Sequence, residues 1–418
     1  MPPEAREVSL PVRDRARLPP NGWPEQFVGG PEDRDALLVL AHLDGITPRR
    51  FHALAWEVGS ARRCLAAVRR GRAGSEGDRS VAARISVRDV RAALARLDAR
   101  QVCPGDPAYP VQLLDLPDPP ACLFVVGSSP AEAPAPVAMV GARRCSAYGR
   151  EVAEMLGRGL AAAGVTVVSG AALGIDAASH RGALSPGGVS WTATTEPSTT
   201  PEAGFPTMAV LGSGIDRPHP SSNRGLIRRI AAVGAVLSEY PPGTPALPWR
   251  FPARNRLVAG LSRAVVVVEG APGSGSMITA EFALELGREV FAVPGPVTSP
   301  LSAVPNQLIR EGAWLTRGPE DVLEVLGMDP QIPGTARPGT DDPGGSRATT
   351  AVGAAGSLPE VERRILDAVA GHPVTADVVA MHASLPVGEA LSALVSLELR
   401  GLVRGVAGRY ERTAATSL

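Results

Sequence analysis

Short apolar runs alternate with helical segments between residues 137 and 327, and this alternation constrains the fold more than any other feature. The runs are rich in valine, which is typical of strands buried on both faces of a parallel sheet. The segments between them, such as Gly149–Ala163, Asn223–Val233 and Met277–Leu286, predict helices. We therefore expect an α/β fold: an extended Rossmann-like parallel sheet with helices on both faces. The predicted strands are Val137–Val140, Val165–Val168, Met208–Leu211, Ala235–Leu237, Ala264–Val268 and Val290–Val293.

Further domains are expected on either side of this sheet domain, to which we assign residues 105–328. Residues 33–104 are predicted to be helical, with a turn at Gly45 between two helices. This pattern resembles a helix-hairpin-helix unit that grips a nucleic-acid backbone, and a small helical packing domain explains it at least as well. Residues 358–413 predict helices and a hairpin, which resembles a winged helix. The remaining segments are predicted to be a disordered N-terminus (1–32), an inserted surface loop (185–206) and a flexible linker (329–357).

The composition excludes several classes of protein. All 42 basic residues are arginine, against 42 acidic residues. A chain without lysine has no Walker-type phosphate loop and no Schiff-base lysine. Its four cysteines are far apart and form no CxxC pair, so we expect neither a zinc site nor a disulfide framework. With no apolar leader and no run of membrane-spanning length, we expect a cytoplasmic protein that does not insert into a membrane and holds no metal or cofactor.

Glycines and hydroxyl side chains follow four of the predicted strands. The carboxyl ends of parallel strands share one edge of the sheet, where ligands bind. Small residues there let backbone amides at helix N-termini approach a phosphate, so four such loops favour phosphate binding over tight turns alone. None of the loops matches GxGxxG, which gives a nicotinamide dehydrogenase little support. The candidate residues are Gly141, Arg143, Ser169, Gly170, Gly174, Gly212, Gly214, Ser274, Gly275, Ser276 and Thr279.

Arginines indicate the charge of the ligand. Residues 216–263 contain eight arginines and two acidic residues, although the chain as a whole has no net charge. Arginines at several strand ends suit a polyanion better than a single phosphate. Arg254 and Arg256, on either side of Asn255, follow a proline-rich loop and are the strongest phosphate-binding candidates.

Planar and titratable side chains lie near the same loops. His219 is the candidate on which a nucleic-acid base would stack, whereas we expect Trp249 and Phe251 to pack in the core. Asp176 and His180 are four residues apart on a predicted helix and are interpreted as a capping or packing pair. Since no third residue completes a triad or a metal site, we expect no catalytic residues.

The order of these loops resembles the DprA/Smf (DNA processing protein A) family. The stretches that carry the resemblance include VAMVGARRCSAYGREVA, VVSGAALGIDAASHRGAL, AVLGSGIDRPHPSSN and FPARNRLVAGLS, and it covers about 107–326. It implies a dimeric, non-catalytic protein that binds single-stranded DNA and helps to load a RecA-type recombinase onto it during natural transformation. By position it implies a DNA groove lined by Gly141, Arg143, Ser169, Gly170, Asn223, Arg254, Asn255 and Arg256, with Arg224 where the family often has lysine.

Two other functions stay open. The last Gly-rich loop followed by Glu281 is also similar to Rossmann-type nucleotide phosphoribohydrolases, in which Glu281 would be catalytic. Alternatively, the loops could hold a mononucleotide as a sensor. The predicted winged helix contains seven acidic residues and six arginines, so for that domain we expect a protein-contact or regulatory role rather than DNA reading.

Overall fold

The computed structural model describes residues 21–185, 205–328, 360–369, 374–383, 385–399, 402–406 and 409–412. The chain divides into two compact units, Met1–Ala336 and Arg337–Leu418. Apart from its ends, the predicted inserted loop 185–206 lies outside the described residues, and so does the whole predicted linker 329–357.

A nine-stranded sheet forms the centre of the first unit. Its order is β1-β2-β6-β5-β4-β3-β7-β8-β9. The strands from β6 to β9 in this order are parallel, while β2 is antiparallel to β6 and β1 is antiparallel to β2. The strands are β1 (Arg100–Val102), β2 (Leu123–Gly127), β3 (Val137–Val140), β4 (Val167–Ser169), β5 (Thr207–Leu211), β6 (Ala235–Ser238), β7 (Ala264–Val267), β8 (Glu289–Ala292) and β9 (Trp314–Leu315).

The predicted α/β architecture is confirmed, since all six predicted strands are present as β3 to β8. β4 begins two residues later than predicted because the N–H of Val165 bonds back to Leu160 and that of Thr166 bonds to Pro134. The helix after β3 begins two residues earlier, at Ala147, because the Ser146 hydroxyl caps it by accepting the N–H of Gly149.

Helices cover both faces of the sheet. Helices α9, α10 and α11 pack on one face of the sheet, and α6, α7, α8 and α12 pack on the other. The first face has one apolar cluster and the second has two; the clusters of the two faces are separate because successive residues of a strand point to opposite sides. These helices are α6 (Ala147–Ala162), α7 (Ile175–Ala183), α8 (Arg224–Val233), α9 (Arg250–Gly260), α10 (Gly275–Glu285), α11 (Ala303–Arg310) and α12 (Pro319–Val325).

Five helices precede the sheet in the first unit. Their apolar cluster reaches Phe124 of β2, so it is continuous with the edge of the sheet. Of the N-terminus predicted to be disordered (1–32), residues 1–20 lie outside the described residues, whereas residues 21–32 pack against these helices. Trp23 stacks on Phe27 with ring centroids 4.2 Å apart, and Phe27 is buried in this cluster. The helices are α1 (Pro31–Leu40), α2 (Pro48–Val58), α3 (Ala61–Arg69), α4 (Glu76–Arg84) and α5 (Val87–Arg96).

The second unit is a winged helix, as predicted. It comprises α13 (Glu360–Ala368), β10 (Val374–Thr375), α14 (Ala376–Ala383), α15 (Val387–Leu399), β11 (Val403–Val406) and β12 (Arg409–Arg412). The sheet order is β10-β12-β11, with antiparallel pairing throughout. Within the described parts of the chain, no single helix is long and apolar enough to cross a membrane; α14 and α15 meet that length and composition only as a pair bent by 106°.

Candidate nucleic-acid interface

The candidate site lies where the strand order reverses. From β3 the chain proceeds through α6 to β4 on one side, whereas from β7 it proceeds through α10 to β8 on the other. Loops diverge at such a switch point and leave a crevice beyond the carboxyl ends of the strands. We call this region the switch-point crevice and define it by the strand-end loops 141–146, 170–174, 212–219 and 269–274.

The predicted glycines hold these loops close together. The N–H of Ala142 donates to the carbonyl of Glu269 at 2.8 Å, and the N–H of Ile175 donates to the carbonyl of Ala142 at 3.2 Å. A Cβ on Gly141 would lie 2.6 Å from Cγ1 of Ile175. Gly174 has φ +77°, a left-handed conformation that favours glycine, and a Cβ there would clash with the Ala142 carbonyl. The same close packing applies to Gly170, Gly212 and Gly214, where a Cβ would meet Arg254, Phe251 and the Pro241 carbonyl, respectively.

An acidic side chain fills the N-terminus of α6. Glu269 lies two residues after the end of β7 and is buried. Its carboxylate accepts the N–H of Ser146 at 2.9 Å and the hydroxyl of Ser146 at 2.5 Å. A Cβ on Gly149 would overlap this carboxylate, which therefore lies against the first turn of the helix. Helix N-termini attract anions, and in many Rossmann-like proteins this position holds a phosphate. Here the chain supplies the anion itself.

A cation and two rings form an exposed platform at the mouth of the crevice. The guanidinium of Arg143 lies 5.1 Å from the ring centroid of Phe251, and the ring of His219 lies 5.6 Å from that of Phe251. Arg143 and His219 are exposed and Phe251 is half-buried. We call these three residues the stacking platform. Trp249, for which the sequence predicted core packing, is 65% exposed two residues before Phe251; that prediction was wrong.

Arg254 is buried beneath the crevice. Its side chain is hydrogen-bonded to the carbonyl of Gly170 at 2.8 Å and to the carbonyl of Val210, and the residue is 4% exposed. Burial lowers the pKa of this guanidinium, and the negative charge of Asp176 opposes the shift. Burial also raises the pKa of Asp176, opposed by the positive charge of Arg254. Arg254 thus connects the ends of β4 and β5 and places a positive charge beneath the crevice.

Arg256, two residues after Arg254 on α9, is also buried. One of its terminal nitrogens donates to both oxygens of Glu239, at 2.8 and 2.7 Å, and its Nε lies 3.4 Å from Asp118. Burial alone would lower the pKa of this guanidinium, but Glu239 and then Asp118 raise it above its ordinary value. With two carboxylates as partners, Arg256 is held as part of the fold.

The polar candidates mostly hold the backbone of the loops. Asn223 is buried and donates to the carbonyls of Ala171 and Ala172 at 3.0 and 3.1 Å. Asn255 donates to the carbonyl of Gly275 at 3.1 Å, which ties α9 to the start of α10.

The candidate hydroxyl groups are bonded within the fold as well. Ser169 donates to the carbonyl of Met139 at 2.6 Å, and Thr279 donates to the carbonyl of Gly275 at 3.2 Å. The hydroxyls of Ser274 and Ser276 bond to each other at 2.7 Å. By contrast, Arg224 is exposed at the first position of α8.

The titratable pair on α7 serves packing. His180 is buried, and its Nδ1 lies 2.7 Å from the hydroxyl of Thr207. Burial, followed by the charge of Arg254, lowers the pKa of His180 to about 3, so its imidazole is neutral at physiological pH. Asp176 accepts the N–H of Ala172 at 3.3 Å. The packing interpretation made from the sequence agrees with these contacts.

Comparisons with known proteins identify the family. The family model described as DNA recombination-mediator protein A matches residues 100–327, and the DprA winged helix domain matches residues 349–409. The chain belongs to the DprA family. It is 39% identical to protein Smf of Escherichia coli over 309 residues, which is 73% of this chain and 75% of that protein. It is 35% identical to protein Smf of Synechocystis over 333 residues, 74% of this chain and 79% of that protein.

A solved structure agrees with this assignment. DNA processing protein A (DprA) of Streptococcus pneumoniae is similar at a TM-score of 0.56 and 32% identity, over 71% of this chain and 98% of that structure. The predicted resemblance to the DprA/Smf family is therefore confirmed.

In the winged helix of this DprA-family chain, the described helix α15 contains no arginine. Val387, Leu391 and Val395 are exposed at intervals of four residues along α15, and Glu389 is exposed beside them. A helix that reads a DNA groove carries arginine or lysine toward the phosphates and base edges. The exposed surface of α15 is instead apolar, with an acidic side chain beside it.

The turn between α1 and α2 is bound by a side chain of the same domain. Between α1 and α2, the N–H of Gly45 donates to Asp78 at 2.9 Å. A Cβ on Gly45 would clash with the same carboxylate. A helix-hairpin-helix turn binds DNA by offering free amides to a phosphate. Because a carboxylate already accepts the Gly45 amide, these contacts favour the packing-domain interpretation of this region.

Proposed function

We propose that this DprA-family protein binds single-stranded DNA across the switch-point crevice without sequence preference. The observation that carries the proposal is the stacking platform: Arg143, Phe251 and His219 present a cation and two rings at the mouth of the crevice. Aromatic rings bind unstacked bases of any sequence, and exposed arginine binds the backbone. Trp249, two residues before Phe251 in the chain, is a further exposed ring.

The α6 N-terminus argues against a phosphorylated ligand held at that helix. A nucleotide bound there would place its phosphate against the first turn of α6. Glu269 occupies it with two short hydrogen bonds, and a second anion there would meet a like charge. Glu281, the candidate catalytic residue of the hydrolase alternative, is exposed on the second turn of α10. A test of that alternative is release of free base from nucleoside monophosphates, with Glu281→Gln as the control.

The biological role follows from the family. Since the family is described as a recombination mediator, we propose that the chain acts non-catalytically, as a homodimer, to help load a RecA-type recombinase onto the bound strand during DNA uptake and recombination. The apolar stripe of α15 supports a protein-contact role for the winged helix.

Two substitutions test the platform. We expect Arg143→Gln to weaken binding of a labelled oligo-dT and to reduce the slope of log affinity against log salt by about 0.7, the value for one phosphate contact on a single strand. Arg310→Gln is the matched control, because Arg310 is an exposed arginine on α11, outside the loops that define the crevice. Unchanged affinity and slope in Arg143→Gln would contradict the proposal.

A further inference from the structure

Three exposed arginines lie on the face formed by α7 and α8, outside the switch-point crevice. Arg224 begins α8, Arg228 follows one turn later, and Arg181 lies in the last turn of α7. The two helices pack against each other. Arg229 of α8 has its pKa lowered by burial and then by Arg181, which places the charge of α7 beside α8. We call Arg181, Arg224 and Arg228 the arginine flank.

The flank carries positive charge at a cost to helix stability. Arg224 lies at the positive end of the α8 dipole, which disfavours a cation. Arg224 and Arg228 are like charges four residues apart on the same helix, and they repel each other. The only carboxylate on α7 and α8, that of Asp176, is buried, and no acidic residue among those described pairs with any of the three arginines. A bound polyanion would remove both penalties.

The flank is continuous with the crevice. Asn223, directly before α8, holds the carbonyls of Ala171 and Ala172 in the loop after β4. From Arg224, the helix leads away from the carboxyl edge of the sheet, and Arg228 lies about 6 Å further along its axis. An extended strand leaving the crevice at this loop would therefore reach Arg224 and then Arg228 and Arg181.

We propose that single-stranded DNA leaving the switch-point crevice continues along the arginine flank, which binds further phosphates. This inference rests on the proposed function, since it extends the same bound strand. It assigns a shared role to Arg181 and Arg228, which could not be grouped from the sequence alone, because nothing local shows that residues 47 positions apart share one face. An acidic protein segment is the alternative occupant.

The test compares two lengths of oligo-dT with full-length protein. A strand of about six nucleotides covers the crevice alone, and one of about twenty reaches the flank. We expect Arg181→Gln/Arg228→Gln to bind the short strand like the wild type. For the long strand, its affinity should fall by about tenfold and its salt slope by about 1.4, the value for two phosphate contacts. Arg263→Gln/Arg310→Gln, two exposed arginines elsewhere on the same unit, is the matched control and should leave both lengths unchanged.

The outcomes separate this inference from the proposed function. Arg143→Gln should weaken both lengths, whereas the flank variant should weaken only the longer one. Equal loss at both lengths in the flank variant, or no loss at the longer one, overturns the inference while the crevice proposal stands. If the wild type binds neither strand, the crevice proposal fails and the flank inference fails with it.

Discussion

A substitution of Arg254 distinguishes most clearly between a residue that stabilises the fold and a residue that contacts DNA. Its guanidinium bonds to the carbonyls of Gly170 and Val210 and lies near the buried carboxyl of Asp176. Arg254→Met keeps most of the apolar stem but leaves two carbonyls and a buried carboxylate without their cation. Removing one partner of a buried charge pair costs about 3–5 kcal/mol. At about 2–4 °C per kcal/mol for a unit of this size, we expect Tm to fall on the order of 10 °C.

The loss of stability in Arg254→Met should depend on pH. The pKa of Asp176 is already raised in the folded wild type, and it should rise further once the Arg254 charge is gone. A group whose pKa is higher in the folded state stabilises the fold below its unfolded pKa, and this contribution is lost as pH rises through the folded value. The stability deficit of Arg254→Met should therefore be largest near neutral pH and shrink on acidification. Asp176→Asn in the same chain should recover part of the loss.

Calorimetry and oligo-dT binding together check this reasoning. Arg143→Met, an exposed position, should keep its unfolding free energy within about 0.5 kcal/mol of the wild type while its salt slope falls. Arg254→Met should show a lower unfolding free energy and an unchanged salt slope, with binding measured at a temperature where the variant remains folded. A variant Arg254→Met that unfolds like the wild type but binds with a reduced salt slope would refute a structural role and make Arg254 a direct phosphate contact.

Three further predictions concern the crevice and the winged helix. Phe251→Ala should lose about 1–3 kcal/mol of oligo-dT binding, because a base loses its stacking partner, and Phe251→Tyr should retain it; equal affinities for the two variants would argue against stacking. Glu269→Ala should empty the anion site at the α6 N-terminus, so that inorganic phosphate raises the Tm of the variant and not of the wild type. A chain ending at Ala336 should bind oligo-dT like the full chain, and a clear loss of affinity would assign DNA binding to the winged helix.

The sheet could be predicted from the sequence because its central strands are buried on both faces. Runs such as Val137–Val140 have no polar residue, and glycine-containing loops mark their ends. The strands at the edges of the sheet were harder to predict. β1 and β9 have three and two residues, too short for periodicity to identify, and β2 is joined to the sheet by antiparallel pairing with the remote strand β6.

The position of the chosen loops could be predicted from the sequence, because each follows a predicted strand and so begins at the carboxyl edge of the sheet. The burial of Arg254 and Arg256 could not be predicted from FPARNR, because their partners lie at Gly170, Glu239 and other distant positions. Glu269 was not chosen as a site residue. An acidic side chain directly after an apolar strand and before a Gly-rich loop is the signal that could have identified it.

Binding of a labelled oligo-dT, compared with a duplex of the same length at about 50 and about 200 mM salt, tests single-stranded DNA binding most directly. We predict tight binding of the single strand that weakens steeply with salt, and much weaker binding of the duplex, whose stacked bases cannot reach the rings of Phe251 and His219. Equal binding of the two forms, or binding that does not change with salt, would contradict the proposed function.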